Sequence, residues 1–106
     1  MATKYRVVLV TVSNMAEARR IARKLVEREL AACVNIIPKI GSVYRWEGVV
    51  EEAQETLLII KSEKKLVEKI KKRVKRMHSY EVPEILVFKV DDGDENYLKW
   101  LSSEVR

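Results

Sequence analysis

The sequence is poor in the residues from which small catalytic and metal sites are usually built. Its 106 residues include one cysteine, one histidine, two prolines and three glycines. A lone Cys33 excludes an intrachain disulfide and any zinc site that needs a cysteine pair. A glycine-rich phosphate loop, an HExxH motif and an evident Ser-His-Asp set are all missing. These absences predict a binding protein and not an enzyme.

Long apolar runs are missing as well. No stretch approaches the ~18 apolar residues that a membrane-spanning helix needs. The opening residues MATKYRVVLV mix charges into a short apolar run, which is not typical of a signal peptide. We therefore expect a cytoplasmic protein that does not associate with membranes. The length and the 47% of hydrophobic residues suit a single domain, residues 1–106, with one modest core.

The positive charge is concentrated in one segment. The net charge is +5, but residues 61–76 contain nine basic and two acidic residues, so the rest of the chain is slightly acidic. Apolar residues recur there at helical spacing, namely Leu66, Val67, Ile70, Val74 and Met77. This pattern predicts an amphipathic helix with a solvated basic face. Nucleic-acid binding would favour interleaved aromatic residues, so we expect no nucleic-acid partner. Abundant lysine, glutamate and arginine also resemble a heat-adapted surface.

The first half of the chain predicts a strand followed by a helix. Tyr5 to Val12 is an apolar, β-branched run that is typical of a central strand. Asn14 and Glu17 have the spacing of an N-cap and capping box for the next helix. The apolar stripe of that helix that faces the core is predicted to comprise Ala18, Ala22, Leu25 and Val26. The residues predicted to face water are Glu17, Arg19, Arg20, Arg23, Lys24, Glu27 and Arg28.

A long β-hairpin is predicted to follow. The strand pattern from Ala31 to Trp46 contains Pro38 and Gly41, which should bend or bulge it, and it returns after a Glu47-Gly48 turn. Strands of about 13 to 15 residues reach roughly 43 to 50 Å, whereas helices of about 16 residues cover only about 24 Å. Part of the hairpin should therefore overhang the core and expose an apolar tip. We expect a symmetric homo-oligomer in which other copies cover that tip.

The second half repeats the helix and strand pattern. Ser62 is predicted to cap the basic helix, which ends near Met77 and His78. The run EVPEILVFKV predicts a strand with Pro83 at its start. A closing helix should then place Tyr97, Trp100 and Leu101 on one face. The order predicts an α+β, ferredoxin-like βαββαβ fold: an antiparallel sheet with a long β-hairpin, helices on one face and an extra C-terminal helix.

Several residues that could carry chemistry have simpler interpretations. Cys33 is most simply a buried small hydrophobic residue. The acidic residues Glu51, Glu52 and Glu55 are interpreted as solubilising positions on an exposed strand. The run DDGDENY, residues 91–97, lacks the ligand spacing of a calcium loop and is better explained as the acidic cap of the closing helix.

His78 stands at the junction between the basic helix and the last strand. The helix dipole would favour a cationic imidazole, and Ser79, Tyr80 and Glu81 are available hydrogen-bond partners. A neutral imidazole is also a common transition-metal ligand. Further ligands, if two chains met there, could come from Cys33, Met77, Glu81 or Glu84. From the residues alone, a structural histidine and a metal or small-ligand site both remain open.

Four blocks of the sequence resemble the CutA family of divalent-cation tolerance proteins. They are LAACVNIIPKIGSVYRWEG, LLIIK, HSYEVPEIL and YLKWL, in this order. The resemblance implies a ferredoxin-like subunit in a tight homotrimer, with long strands running between subunits. It also implies a role in tolerance or homeostasis of divalent metal ions, especially copper, without an established catalytic activity. The architecture is similar to that of trimeric signalling proteins, so the alternative is a small-molecule-binding signalling or scaffold trimer that uses intersubunit clefts.

The resemblance also implies site residues. Bacterial members have a copper site associated with a cysteine on the first strand and two adjacent histidines after the second long helix, and the matching positions here are Val10, Met77 and His78. His78 is therefore the implied metal ligand, for copper or zinc, with no cofactor required for folding. Met77 is either a thioether ligand or part of the apolar stripe. The predicted intersubunit cleft is lined by Cys33, Trp46, Lys61, Tyr80 and Glu84, of which Lys61 and Tyr80 would make contacts to a small anion or other hydrogen bonds to a ligand.

Overall fold

Residues 4–106 form one four-stranded sheet with three helices. A computed structural model describes residues 4–106. Its elements are β1 (Tyr5–Val12), α1 (Met15–Glu27), β2 (Cys33–Trp46), β3 (Val49–Glu63), a 3₁₀ turn (Lys64–Leu66), α2 (Val67–Met77), β4 (Ile85–Lys89) and α3 (Glu95–Ser103). The strands are antiparallel in the order β2-β3-β1-β4. The predicted ferredoxin-like α+β fold with its closing helix is confirmed.

The core lies between the sheet and the helices α1 and α2. Alternate residues of the two central strands, including Val8 and Val10 on β1 and Leu58 and Ile60 on β3, are fully buried. They pack against apolar residues of the helices, such as Ile21, Leu25, Ile70 and Val74. The buried positions of α2 are Val67, Ile70 and Val74, so the predicted amphipathic character of the basic helix is confirmed. Within residues 4–106, every helix is too short or too polar to cross a membrane.

The opposite face of the sheet is also rich in apolar side chains. Leu9, Leu57 and Ile59 lie there half-buried, and on the edge strand Leu86 and Phe88 are 50% and 47% exposed. The helix α3 covers only one end of this face, where Leu101 packs with Tyr5. An uncovered face of an antiparallel sheet is usually polar. We refer to this surface, the face turned away from α1 and α2, as the open face.

The hairpin of β2 and β3 extends well beyond the core. Its two strands pair from Cys33 and Lys61 to Trp46 and Val49, but β1 pairs with β3 only over residues 56–63. The longest dimension of the molecule is accordingly 44 Å. The register shifts between residues 37 and 40, and the turn at 47–48 has positive φ at both positions, so the predicted bulge, turn and overhang are confirmed.

Several local predictions were wrong. Ser62 lies within β3, where its hydroxyl donates to the carbonyl of Leu30 (2.6 Å), and α2 begins without a side-chain cap. The helices α1 and α2 have 13 and 11 residues, fewer than the 16 predicted. Val26 is 42% exposed because the buried stripe of α1 runs through other positions, which include Glu17. Pro83 precedes β4, which begins at Ile85.

The closing helix differs from its prediction in one respect. The side chain of Asp94 accepts a hydrogen bond from the backbone N–H of Tyr97 (3.0 Å), so the acidic cap is confirmed. However, Tyr97 and Trp100 are each 42% exposed, and only Leu101 of the predicted face is buried. Leu101 packs against Tyr5 at the end of the sheet, whereas the two aromatic rings contact each other at the surface, with centroids 5.6 Å apart and planes tilted by 41°.

Candidate functional site

The imidazole of His78 is held in the interior at the end of α2. The backbone leaves the helix at His78, which turns the side chain inward until it is fully buried. Its Nε2 lies 2.7 Å from the carbonyl oxygen of Thr11, and the backbone N–H of Tyr80 donates to Nδ1 (3.0 Å). Because a carbonyl only accepts, Nε2 carries the proton and the ring is the neutral tautomer. Both ring nitrogens are therefore engaged.

Glu17 is buried beside His78 and does not face water as predicted. It is 3% exposed, and its carboxylate accepts hydrogen bonds from the hydroxyl of Ser13 (2.6 Å) and from the backbone N–H (2.7 Å) and hydroxyl (2.9 Å) of Ser79. Burial alone would raise the pKa of Glu17, but the hydrogen bonds from Ser13 and Ser79 outweigh it and hold the pKa below its ordinary value. Glu17 is thus a buried carboxylate that anchors the segment after α2.

The next residue, Tyr80, points away from this cluster toward the overhanging hairpin. Its hydroxyl donates to the carboxylate of Glu55 on β3 (2.8 Å). Glu55 is only 9% exposed, so the interpretation of this residue as a solubilising position was wrong. Burial and the hydrogen bond to Glu55 both raise the pKa of Tyr80, which keeps its hydroxyl protonated as a donor.

A cavity of about 690 Å³ lies between the hairpin overhang and the loop that follows Tyr80. This volume is in the range of small-molecule sites. Three aromatic rings line it, those of Tyr44, Trp46 and Tyr80, and it also contains four carboxylates, those of Glu51, Glu55, Glu81 and Glu84. Of the predicted cleft residues, Trp46, Tyr80 and Glu84 are therefore brought together within one chain.

Cys33 and Lys61 lie elsewhere. They face each other across β2 and β3 at the end of the hairpin opposite the turn, and neither lines the cavity. Cys33 is half-buried, with its Sγ 4.0 Å from the Asn35 side-chain oxygen. Since Cys33 and Trp46 are the first and last residues of the same strand, one chain does not bring the five predicted residues into a single cleft.

The residues of one chain, as folded, do not form a metal site. Val10 is fully buried in the hydrophobic core, and Met77 is partly buried and packs against that core. The nitrogens of His78 are both hydrogen-bonded. Across the described residues 4–106, no three His, Cys, Asp or Glu side chains are grouped so that they could hold a metal ion. A metal at His78 would require a change in the loop and additional ligands.

Three residues of these clusters were not predicted as site residues: Glu17, Ser13 and Glu55. One sequence signal could have identified Glu17. It precedes Ile21 and Leu25 at intervals of four, which places it on the buried face of α1. The capping-box spacing from Asn14 instead favoured a water-facing Glu17 at the start of the helix. Asn14 does cap the helix through the backbone N–H of Glu17, but the carboxylate of Glu17 bonds to serines instead.

The sequence is similar to proteins of bacteria and plants. It is 50% identical over 95 residues to the divalent-cation tolerance protein CutA of Thermus thermophilus, and the match covers 90% of this chain and 92% of that protein. It is 44% identical over 100 residues to the chloroplastic protein CutA of Arabidopsis thaliana, and the match covers 94% of this chain but 55% of that protein. The chain thus spans about half the length of the plant relative.

Solved structures agree with the sequence matches. The divalent cation tolerance protein Cut A1 of Thermus thermophilus superposes with a TM-score of 0.94 at 47% identity, covering 96% of this chain and 99% of that one. The periplasmic divalent cation tolerance protein CutA of Archaeoglobus fulgidus gives 0.93 at 37% identity, with the same coverage. The family described as CutA1 divalent ion tolerance protein matches residues 6–104. The chain therefore belongs to the CutA1 family of divalent ion tolerance proteins.

Proposed function

We propose that this chain is a homotrimeric binding protein in the homeostasis of divalent metal ions such as copper, and that it is not an enzyme. The observation that carries the proposal is membership of the CutA1 family over residues 6–104. The imidazole of His78 is fully buried and hydrogen-bonded at both nitrogens, so it does not offer a substrate an accessible acid or base, which supports the non-enzymatic part of the proposal.

Two surfaces support the assembly of several copies. The open face carries Leu86 and Phe88, which are 50% and 47% exposed in a single chain. The tip of the hairpin exposes Val43, Val49 and Val50, which are 58% to 68% exposed. Contiguous apolar surface of this kind is rare on monomers and marks an interface. Covering the open face and the tips with copies of the same chain would remove both from water.

Sedimentation and one pair of variants test this assembly. The native species should have about three times the chain mass of 12.4 kDa. Phe88→Lys should disrupt it, since a lysine would be buried on the open face, whereas Val87→Lys is the control, because Val87 points to the other face of the same strand. A folded monomer for the unmodified chain, or an intact trimer of Phe88→Lys, would contradict the proposal.

We further propose that a divalent ion, copper or zinc, is bound at His78 only after the loop opens. Nδ1 becomes available when the backbone N–H of Tyr80 moves away. The nearest carboxylate oxygen, on Glu17, is 3.6 Å from Nδ1, a spacing that suits two ligands of one ion. Remaining ligands would come from another copy of the chain.

Titration decides the role of His78. Cu²⁺ and Zn²⁺ should bind the unmodified protein more tightly than His78→Gln, which keeps a polar side chain of similar size. His78→Gln should first be checked for an unchanged fold by circular dichroism, because the imidazole is buried. Equal affinities for the two proteins would remove His78 from the metal site, and the metal function would then need other ligands.

A second candidate function is small-molecule binding in a cleft, as in a signalling or scaffold trimer. The specific observation that favours it is the cavity of about 690 Å³ lined by Trp46, Tyr80 and Glu84. A thermal-shift screen of nucleotides, small anions, amines and neutral compounds tests it. Stabilisation by none of these classes would count against this function.

The cellular location stays a prediction. We propose that the protein acts in the cytoplasm. The relative from Archaeoglobus fulgidus is described as periplasmic and that from Arabidopsis thaliana as chloroplastic. Fractionation of the cells that produce the native protein would decide between these compartments.

A further inference from the structure

The cavity beside Tyr80 is acidic although the protein as a whole is basic. The chain has a net charge of +5, yet the cavity wall contains four glutamates and, among the described residues, no lysine, arginine or histidine. Two of these glutamates, Glu51 and Glu55, come from the hairpin, and Glu81 and Glu84 come from the loop before β4. A concave surface lined by one sign of charge attracts ligands of the opposite sign.

Glu55 is the best evidence that a cation belongs there. Glu55 lines the cavity and is only 9% exposed. One of its carboxylate oxygens accepts a hydrogen bond from the hydroxyl of Tyr80. Within residues 4–106, no basic side chain forms an ion pair with it. Charged side chains that are this buried are almost always paired. The counter-charge is therefore expected from outside this chain, and a bound cation can supply it.

The aromatic rings indicate what kind of cation would fit. Tyr44 pairs with Glu51 across the hairpin, and Trp46 pairs with Val49, so their side chains project from the same face as Glu51 and Glu55. In a single chain Tyr44 and Trp46 are 41% and 49% exposed, and both rings line the cavity. Aromatic faces attract ammonium groups that carry alkyl substituents, since such cations lose little hydration on contact.

A bare metal ion fits the same wall poorly. The four carboxylates are spread around a space of about 690 Å³, and no three of the acidic, histidine or cysteine side chains in the described part of the chain converge on one point. Metal ions need several ligands within about 2.0 to 2.6 Å. Separated carboxylates beside aromatic rings suit a larger organic cation, whose charge is spread over alkyl groups that can pack against the rings.

We propose that this cavity binds an organic ammonium ion, with the cationic group between the carboxylate of Glu55 and the rings of Trp46 and Tyr44. The inference rests on the second candidate function, small-molecule binding in this cavity, and narrows it to one ligand class. It runs against the small anion expected from the sequence, because Lys61 lies far from the cavity.

The two tryptophans allow a direct test on the assembled protein. In Trp100→Leu, Trp46 is the only tryptophan, so its fluorescence reports on the cavity. Tetramethylammonium should change that fluorescence in a saturable manner, whereas tert-butanol and pivalate, its neutral and anionic counterparts of similar shape, should not. In the matched variant Trp46→Leu, only Trp100 reports, and the same titration should produce no change.

Glutamate variants measured by calorimetry complete the experiment. Glu55→Gln retains an oxygen that can accept from Tyr80, so the fold should persist, and the affinity for tetramethylammonium should fall by about 10-fold because the charge is lost. Glu68→Gln, on the exposed side of α2, should leave the affinity unchanged. Trp46→Leu should weaken binding by about 2- to 5-fold.

The possible outcomes distinguish the ammonium site from the more general hypothesis that the cavity binds a small molecule. If pivalate or tert-butanol binds as well as tetramethylammonium, the cavity is a small-molecule site but the ammonium assignment is wrong. If Mn²⁺ binds and is lost in Glu55→Gln while tetramethylammonium has no effect, the site is a metal site and the proposal is overturned. If none of the probes binds, both the ammonium site and the second candidate function fail.

Discussion

Removing the carboxylate of Glu17 should destabilise the protein strongly, although the residue is charged. In Glu17→Ala the backbone N–H and hydroxyl groups of both Ser13 and Ser79 lose their common acceptor. Glu17 is 3% exposed, so bulk water does not replace the carboxylate freely. The substitution also removes the negative charge beside the imidazole of His78.

The magnitude follows from the number of hydrogen bonds. A hydrogen bond to a charged group contributes about 1.5 to 3 kcal/mol. The four bonds to this carboxylate, of which that from the Ser13 N–H is long at 3.4 Å, are not additive, since the serine hydroxyls can turn to other acceptors. We therefore expect a loss of about 3 to 5 kcal/mol in the free energy of unfolding, which is a large part of the roughly 5 to 15 kcal/mol typical of a domain.

Urea unfolding at a fixed chain concentration measures this loss. With a slope of about 2 kcal/mol per molar, the midpoint should fall by about 2 M. The matched control is Glu27→Ala, on the same helix, whose glutamate is 53% exposed and pairs with Arg23. Such surface pairs contribute only about 0.3 to 0.5 kcal/mol. If both variants shift the midpoint equally, the anchoring role assigned to Glu17 is wrong.

The same comparison has a defined pH dependence. The folded-state pKa of Glu17 is below its ordinary value of 4.5, so its stabilising contribution is present at higher pH. It is lost as the pH falls through the folded-state pKa, when the carboxylate becomes protonated. The difference between the unmodified protein and Glu17→Ala should therefore be constant near neutral pH and should shrink at pH values below about 4.5. A difference that stays constant down to strongly acidic pH would contradict this assignment.

Four further predictions concern local structure and heat stability. Glu29→Gly should stabilise the fold by about 0.5 to 1 kcal/mol, because Glu29 has φ 58° at the end of α1; destabilisation in urea would contradict this. Ser62→Ala should cost about 1 to 2 kcal/mol in the same assay, since the buried carbonyl of Leu30 loses its donor, and no loss would show that water replaces it. Asp94→Ala should cost about 1 kcal/mol by removing the cap of α3, and its helical circular dichroism should decrease slightly. The charged surface predicts a thermal midpoint well above the roughly 45 to 65 °C of ordinary domains, which a calorimetric scan would check.

The element order and the overhanging hairpin could be predicted because they depend on local patterns. Alternating apolar residues and turn signals such as Glu47-Gly48 act within a few residues of the chain. Ser62 shows where such patterns fail. A serine before a helix is an ordinary cap, but β3 continues through this residue, and its hydroxyl serves a carbonyl 32 residues away. Tertiary contacts of this kind leave no local signal.

The site was predictable only where its residues follow one another in the chain. His78, Tyr80 and Glu84 belong to one segment, whereas Glu17 and Glu55 reach it from other elements. Both glutamates were interpreted as water-facing because charged residues usually are. Their burial depends on the loop 79–84 that folds over them, and the sequence alone does not indicate where that loop lies.

That loop connects the buried cluster to the cavity through consecutive residues. Ser79 is held by Glu17 on the helix side, and the next residue, Tyr80, donates to Glu55 at the cavity wall. The backbone N–H of Tyr80 is also bonded to His78, so the position of the tyrosine ring depends on the neutral imidazole. Since a metal ion on Nδ1 would displace that N–H, it should loosen Tyr80 and, through it, the wall formed by Glu55. Metal binding at His78 and ligand binding in the cavity should therefore affect each other, although His78 and Glu55 lie on different sides of the loop.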